Sequence, residues 1–230
     1  MMTDKPRIGL AAMSQQIKIM IKKQSHIRIL LAALVMILAA APTIYAVQPS
    51  AQSSLDKMIA ALKKHPSMTA VFTVWNNGSS STGTINLAGR NFHISTPEMK
   101  VWYDGKTQWS YAPSAGEVNI TEPTAEELAQ TNPFSILSGL SRNFTCRRLK
   151  APAGSERIEL VPKKKTADFE SATITLKSST SMPQEISIKD SKGKVTSVKI
   201  SSITAGKSMP AGAFRFNKAA YPGVEIVDLR

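Results

Sequence analysis

A mainly β chain of the α+β class, folded as one curved antiparallel sheet interrupted by short helices, is what this sequence predicts. Three observations carry that reading. Short segments rich in β-branched and aromatic residues recur roughly every ten residues between turn signals. Successive segments meet at Asn-Asn-Gly, Asp-Gly and Ser-Lys-Gly sequences, which favour tight hairpins. Helical patterning is confined to two stretches, Ser53 to His65 and Pro123 to Leu140.

Taken in order, the first element is excluded from the fold. Lys22, Lys23 and Arg28 precede an uncharged run, Ile29 to Ala41, which ends at Pro42 and leads to Ala46, the order of a cleavable secretory signal. The run is shorter than the roughly 20 apolar residues that span a bilayer. A start at Met20 gives a signal of ordinary size, with residues 1–46 removed and 47–230 left as one domain. No cysteine stands close behind the run, so the mature N-terminus is expected to be unlipidated and the product soluble. The leader holds Lys5, Arg7, Lys18, Lys22, Lys23 and Arg28 against Asp4, so +5 of the formal +13 belongs to it and +8 to the remainder. A basic surface suits nucleic acid, anionic lipid or an acidic protein, and the export signal disfavours nucleic acid.

In SSLDKMIAALKKH, Leu55, Met58, Ile59 and Leu62 share a helical face, with Ser53 or Ser54 as N-cap and Pro66 as the stop. The meander then runs AVFTVW, STGTINLAG, RNFHIS, MKVWY, TQWSYAP and EVNIT. Two short helices follow, with Pro133 at a first helical position and Phe134, Ile136, Leu137 and Leu140 forming an unusually apolar second helix. FTCRRL, ERIELVP, SATITLK, QEISIKD and VTSVKISSI resume the strands. Period two places Arg90, Phe92 and Ile94 on one face and His93 on the other, exposed, while Trp109 and Tyr111 share a face.

Chemistry-bearing constellations are missing from the sequence. His65 and His93 have no second ligand at metal spacing. No nucleophile elbow or phosphate-binding glycine loop occurs. Cys146, the single cysteine, reads as a small apolar strand residue, and Lys163-Lys164-Lys165 as a solvated turn. The expectation is a protein that is not an enzyme and needs no metal or cofactor.

Four stretches in order resemble the LolA family of periplasmic lipoprotein carriers: the leading helix with AVFTV, DGKTQWSYAP as D-G-x-x-x-W-x-Y-x-P, NPFSIL, and the closing AFRFNKAAYPGVEIVD. The resemblance implies an unclosed antiparallel β-barrel covered by a lid of short helices. It implies an apolar cavity for acyl chains, lined by Phe72, Val74, Phe92, Ile94, Trp109 and Tyr111 and covered by Pro133, Phe134, Ile136, Leu137 and Leu140. Arg90 matches the family's lid-holding arginine, with Ile94 where the family has a tryptophan. The implied partners are lipidated proteins, an inner-membrane lipoprotein-releasing transporter and an outer-membrane acceptor, served by a monomer with no nucleic-acid role in a Gram-negative periplasm. An envelope lipid or lipoprotein sensor, or a carrier of another lipid, is the alternative; the lack of a further domain after Arg230 disfavours the sensor.

Overall fold

The computed structural model describes residues 50–76, 78–124, 127, 143–164, 170–206 and 208–230. The leader and the helices expected between Pro123 and Leu140 fall almost wholly outside these residues, and with them Pro133, Phe134, Ile136, Leu137 and Leu140.

Helix α1 spans Ala51–Lys63 and turns Leu55, Met58, Ile59 and Leu62 inward at helical spacing. Its cap is not Ser53 or Ser54. Ser50 fills that role, its Oγ accepting from the Ser53 amide at 3.1 Å. Ser54 is one turn too far inside to cap and is buried against the sheet.

Among the described residues, twelve strands form one sheet in the order β12-β6-β5-β4-β3-β2-β1-β11-β10-β9-β8-β7. They are β1 (Ser67–Asn76), β2 (Ser79–Ala88), β3 (Asn91–Ser95), β4 (Lys100–Tyr103), β5 (Gln108–Ala112), β6 (Glu117–Thr121), β7 (Phe144–Leu149), β8 (Ser155–Pro162), β9 (Ser171–Lys177), β10 (Pro183–Lys189), β11 (Val195–Ala205) and β12 (Glu225–Asp228). The two end strands do not pair with each other, so the sheet is an unclosed barrel, as the family resemblance implies. The strand pairings among the described residues are antiparallel except that of β12 with β6.

Local chemistry explains the turns. Asp104 accepts from the amides of Lys106 and Thr107 at 3.1 and 2.9 Å, and Gly105 supplies the left-handed φ of 97°. Asp190 does the same for Lys192 and Lys194, both at 2.9 Å. Curvature has its own device: between Val71 and Phe72 the β1–β11 register slips, leaving an extra residue on β11 that raises local twist.

One core fills the concave side. Met68, Ala70, Phe72 and Val74 of β1 alternate inward and join β2, β3, β4, β8, β9, β10 and β11 around α1. At its N-terminal half α1 is tied to the free end of the sheet, where Arg148 Nη2 donates to Ser54 Oγ and to Glu156 Oε2, both at 2.8 Å, and Ser54 Oγ donates to the same carboxylate.

Candidate functional site

The concave face of β1–β4 is built from alternation alone. Phe72 and Val74, Ile85 and Leu87, Phe92 and Ile94, and Val101 and Tyr103 are all buried there, side by side across four strands. Phe72 faces Gly83 across the β1–β2 ladder. A Cβ at Gly83 would sit 2.6 Å from the Ser95 carbonyl oxygen, 2.7 Å from Phe72 Cζ and 2.8 Å from Thr96 Cγ2. Glycine is therefore required by close approach, not by φ. Phe92 stacks on Tyr103 with ring centroids 5.3 Å apart.

Arg90 does not share that strand face. β3 begins at Asn91, and Arg90 sits exposed in the β2–β3 turn. Its charge still reaches the concave rim: burial raises the Tyr103 phenol above its ordinary range and Arg90 opposes that rise.

Trp109 and Tyr111 lie elsewhere. The four-residue Asp104–Thr107 turn sets Trp109 opposite Trp102, which in turn opposes His93, so all three occupy the convex face. Tyr111, in the same parity, meets Tyr221 edge-on at 4.9 Å. The apolar side of the sheet thus changes at β4, the strand where Val101, Trp102 and Tyr103 are all buried. Beyond it, Gln108, Ser110 and Asn119 occupy the concave parity while Trp109, Tyr111 and the fully buried Val118 occupy the convex one. An unbroken Val-Trp-Tyr run suits a strand buried on both sides.

What covers the convex aromatics is the C-terminal segment, with the short 3₁₀ turns Ala211–Phe214 and Lys218–Ala220. Phe216 and Tyr221 close on Trp102 at 5.6 and 5.9 Å, and Lys100 Nζ donates to Tyr221 Oη at 3.0 Å. His93 is consequently not exposed. It stacks on Trp102 at 5.0 Å and 7°, its buried Nε2 has no hydrogen-bond partner among the described residues, and burial, helped by Lys100, lowers its pKa to about 4. The ring is neutral at pH 7.

Cys146 packs beside the core on β7, donates to Gln52 Oε1 at 3.3 Å, and is pushed by burial to a pKa of about 11. Lys163 and Lys164 are exposed in the β8–β9 connection. Among the described residues no three of His, Cys, Asp and Glu gather at metal distance.

The concave face of this unclosed sheet is thus an apolar, closely packed core. The family model described as "Outer membrane lipoprotein carrier protein LolA" matches residues 43–193. The chain belongs to this LolA family. The match runs from residue 43 through α1 and the whole meander to the β10–β11 turn, and so includes every concave strand except β11. An outer-membrane lipoprotein carrier protein of Bordetella avium is 29% identical over 135 residues, 57% of this chain and 62% of its own. One of Cupriavidus pinatubonensis is 31% identical over 122 residues, 52% and 56% respectively. The chain thus spans 62% and 56% of the length of these curated relatives. In three dimensions the LolA-family chain is similar to an uncharacterized conserved protein of Thermus thermophilus, with a TM-score of 0.53 and 13% identity over 77% of this chain and 98% of the other. That likeness concerns the fold.

Proposed function

We propose that this protein is a periplasmic, non-enzymatic carrier that shelters the acyl chains of lipidated proteins against its concave face and ferries them from the inner to the outer membrane. The observation that carries the proposal is the apolar core on the concave side of β1–β4 in a sheet whose end strands stay unpaired with each other, found in a chain of the LolA family. Each methylene hidden from water contributes about 0.8 kcal/mol, so acyl chains cross an aqueous space only when covered. An unclosed sheet can admit them without breaking a ladder.

In this proposal Phe72, Val74, Phe92 and Ile94 form the acyl-facing wall, and Pro133, Phe134, Ile136, Leu137 and Leu140 belong to a lid over it. Trp109 and Tyr111 hold the convex side and support the wall from behind. Arg90, exposed in the β2–β3 turn where its charge acts on the Tyr103 phenol, is the lid's latch. The cargo comes from an inner-membrane releasing transporter and passes to an outer-membrane acceptor. Release remains possible because a marginally held cover opens at small cost.

The test is a two-step assay. Cells stripped of their outer membrane are given the protein, and lipoproteins released into the soluble fraction are identified by mass spectrometry and then offered to outer membranes. Soluble complexes that pass their load onward are expected. Lipoproteins that stay in the inner membrane in the protein's presence would refute the carrier role. Arg90→Leu should fold and accept cargo yet fail in the second step.

A further inference from the structure

At one end of the sheet the loops carry a set of exposed lysines. The Gly89 amide donates to the Pro66 carbonyl at 3.2 Å and Gly206 to Ser67 at 3.1 Å, which ties the loops around the start of β1, and Ser178 donates to Gly154 at 2.9 Å, which ties the β7–β8 and β9–β10 turns. On these loops Lys63 and Lys64 close α1, Lys177 opens the β9–β10 turn and Lys150 lies in the β7–β8 turn, all four exposed. None of them is in an ion pair among the described residues. Four acids at this end are already engaged, Asp104 with Arg215, Glu122 with Lys106 and Arg230, Glu156 with Arg148, and Asp228 with Arg230, while the exposed Glu185 lies further in, on β10. At the opposite end Glu98, Glu170, Asp190 and Glu225 are interspersed with the lysines.

We propose that this rim is a docking surface for anionic phospholipid headgroups. Strand spacing of about 4.8 Å spreads the four lysines over roughly 20 Å of curved edge, on three different supports. A field of mobile anionic headgroups satisfies such cations one by one and needs no matched shape. A stable protein interface needs an apolar centre. The exposed Trp75, Val161 and Val195 lie at the other end of the sheet, and Leu229 at this end is a single residue. Binding through lysines alone is reversible and salt-sensitive, as suits a protein that must touch a membrane and leave it. The inference stands apart from the carrier role, because acyl-chain binding is not needed for it.

The experiment is co-sedimentation of the protein, recovered from cells expressing the full chain and free of lipoprotein, with vesicles of phosphatidylethanolamine and phosphatidylglycerol or of phosphatidylcholine alone. Binding only to the anionic vesicles, lost at high salt, is expected. Each lysine near a surface multiplies binding roughly fivefold, so replacing Lys63, Lys64, Lys150 and Lys177 by Gln should weaken it on the order of hundreds-fold. The paired variants Lys63→Gln/Lys64→Gln and Lys150→Gln/Lys177→Gln should each give about 25-fold. Replacing Lys163, Lys164, Lys192 and Lys218 removes the same charge from elsewhere and should cost far less. Equal weakening by the two sets overturns the proposal, as does indifference to anionic vesicles; binding to an acidic protein in that last case would reassign the rim.

Discussion

His93 makes stability depend on pH between 6.5 and about 4. Folded, the ring is held by burial, with Lys100 adding, at a pKa of about 4, against 6.5 for the unfolded chain. Above pH 6.5 neither state is protonated and the residue contributes nothing to the difference. As pH falls from 6.5 to about 4 the unfolded chain takes a proton that the folded one refuses, so stability is lost across that window and the loss is constant below it. Each tenfold in proton affinity is worth about 1.4 kcal/mol, which gives about 3 kcal/mol, or about 2 kcal/mol after screening of an incompletely enclosed ring. For a domain of this size that is a fall of about 4–8 °C in Tm. His93→Gln cannot titrate and should flatten the profile by that amount. Thermal unfolding of both proteins through the window measures it directly. Parallel profiles for the parent protein and the His93→Gln variant would show that the stack on Trp102 does not repel the proton.

Gly83→Ala forces a methyl against the Ser95 backbone and the Phe72 ring, and should cost about 1–3 kcal/mol by denaturant titration; an unchanged midpoint would mean that β2 shifts freely. Trp102→Ala removes the residue on which His93, Phe216 and Tyr221 converge, costs about 3–5 kcal/mol, and should make the C-terminal segment sensitive to protease before the rest of the chain. Simultaneous cleavage throughout would show that the segment does not depend on that ring. Cys146, with its thiol pushed to about 11, should react with a thiolate-selective reagent much more slowly in the native than in the unfolded protein near pH 8; equal rates would contradict its burial.

Alternation made the inward residues of β1 and β3 legible, because each strand buries one side there and Phe72, Val74, Phe92 and Ile94 recur at period two. It could not decide the side taken by Trp109 and Tyr111. That depends on the register set by the Asp104–Thr107 turn, and a slip of one residue would have reversed it. His93 reads as an exposed residue for as long as the C-terminal segment is treated as a tail, since its cover is supplied from more than a hundred residues away by Phe216 and Tyr221 against Trp102. Arg90 falls one residue short of its strand, because Gly89 in the left-handed region is still turning the chain. The N-cap differs for a similar local reason: Ser54 finds Glu156 and Arg148 as partners, and Ser50 is left to hold the helix start.

The ladder between β1 and β11 lies in the middle of the sheet, yet it joins Ser67–Asn76 to Val195–Ala205. Neither half of the sheet therefore has both of its borders until nearly the whole chain has been made. Contacts of such sequence separation form late and slowly, so a ribosome-bound or partly exported chain has no complete native intermediate to settle into. Any chain that must cross a membrane as an extended thread gains from such an arrangement, since the topology itself postpones completion of the sheet.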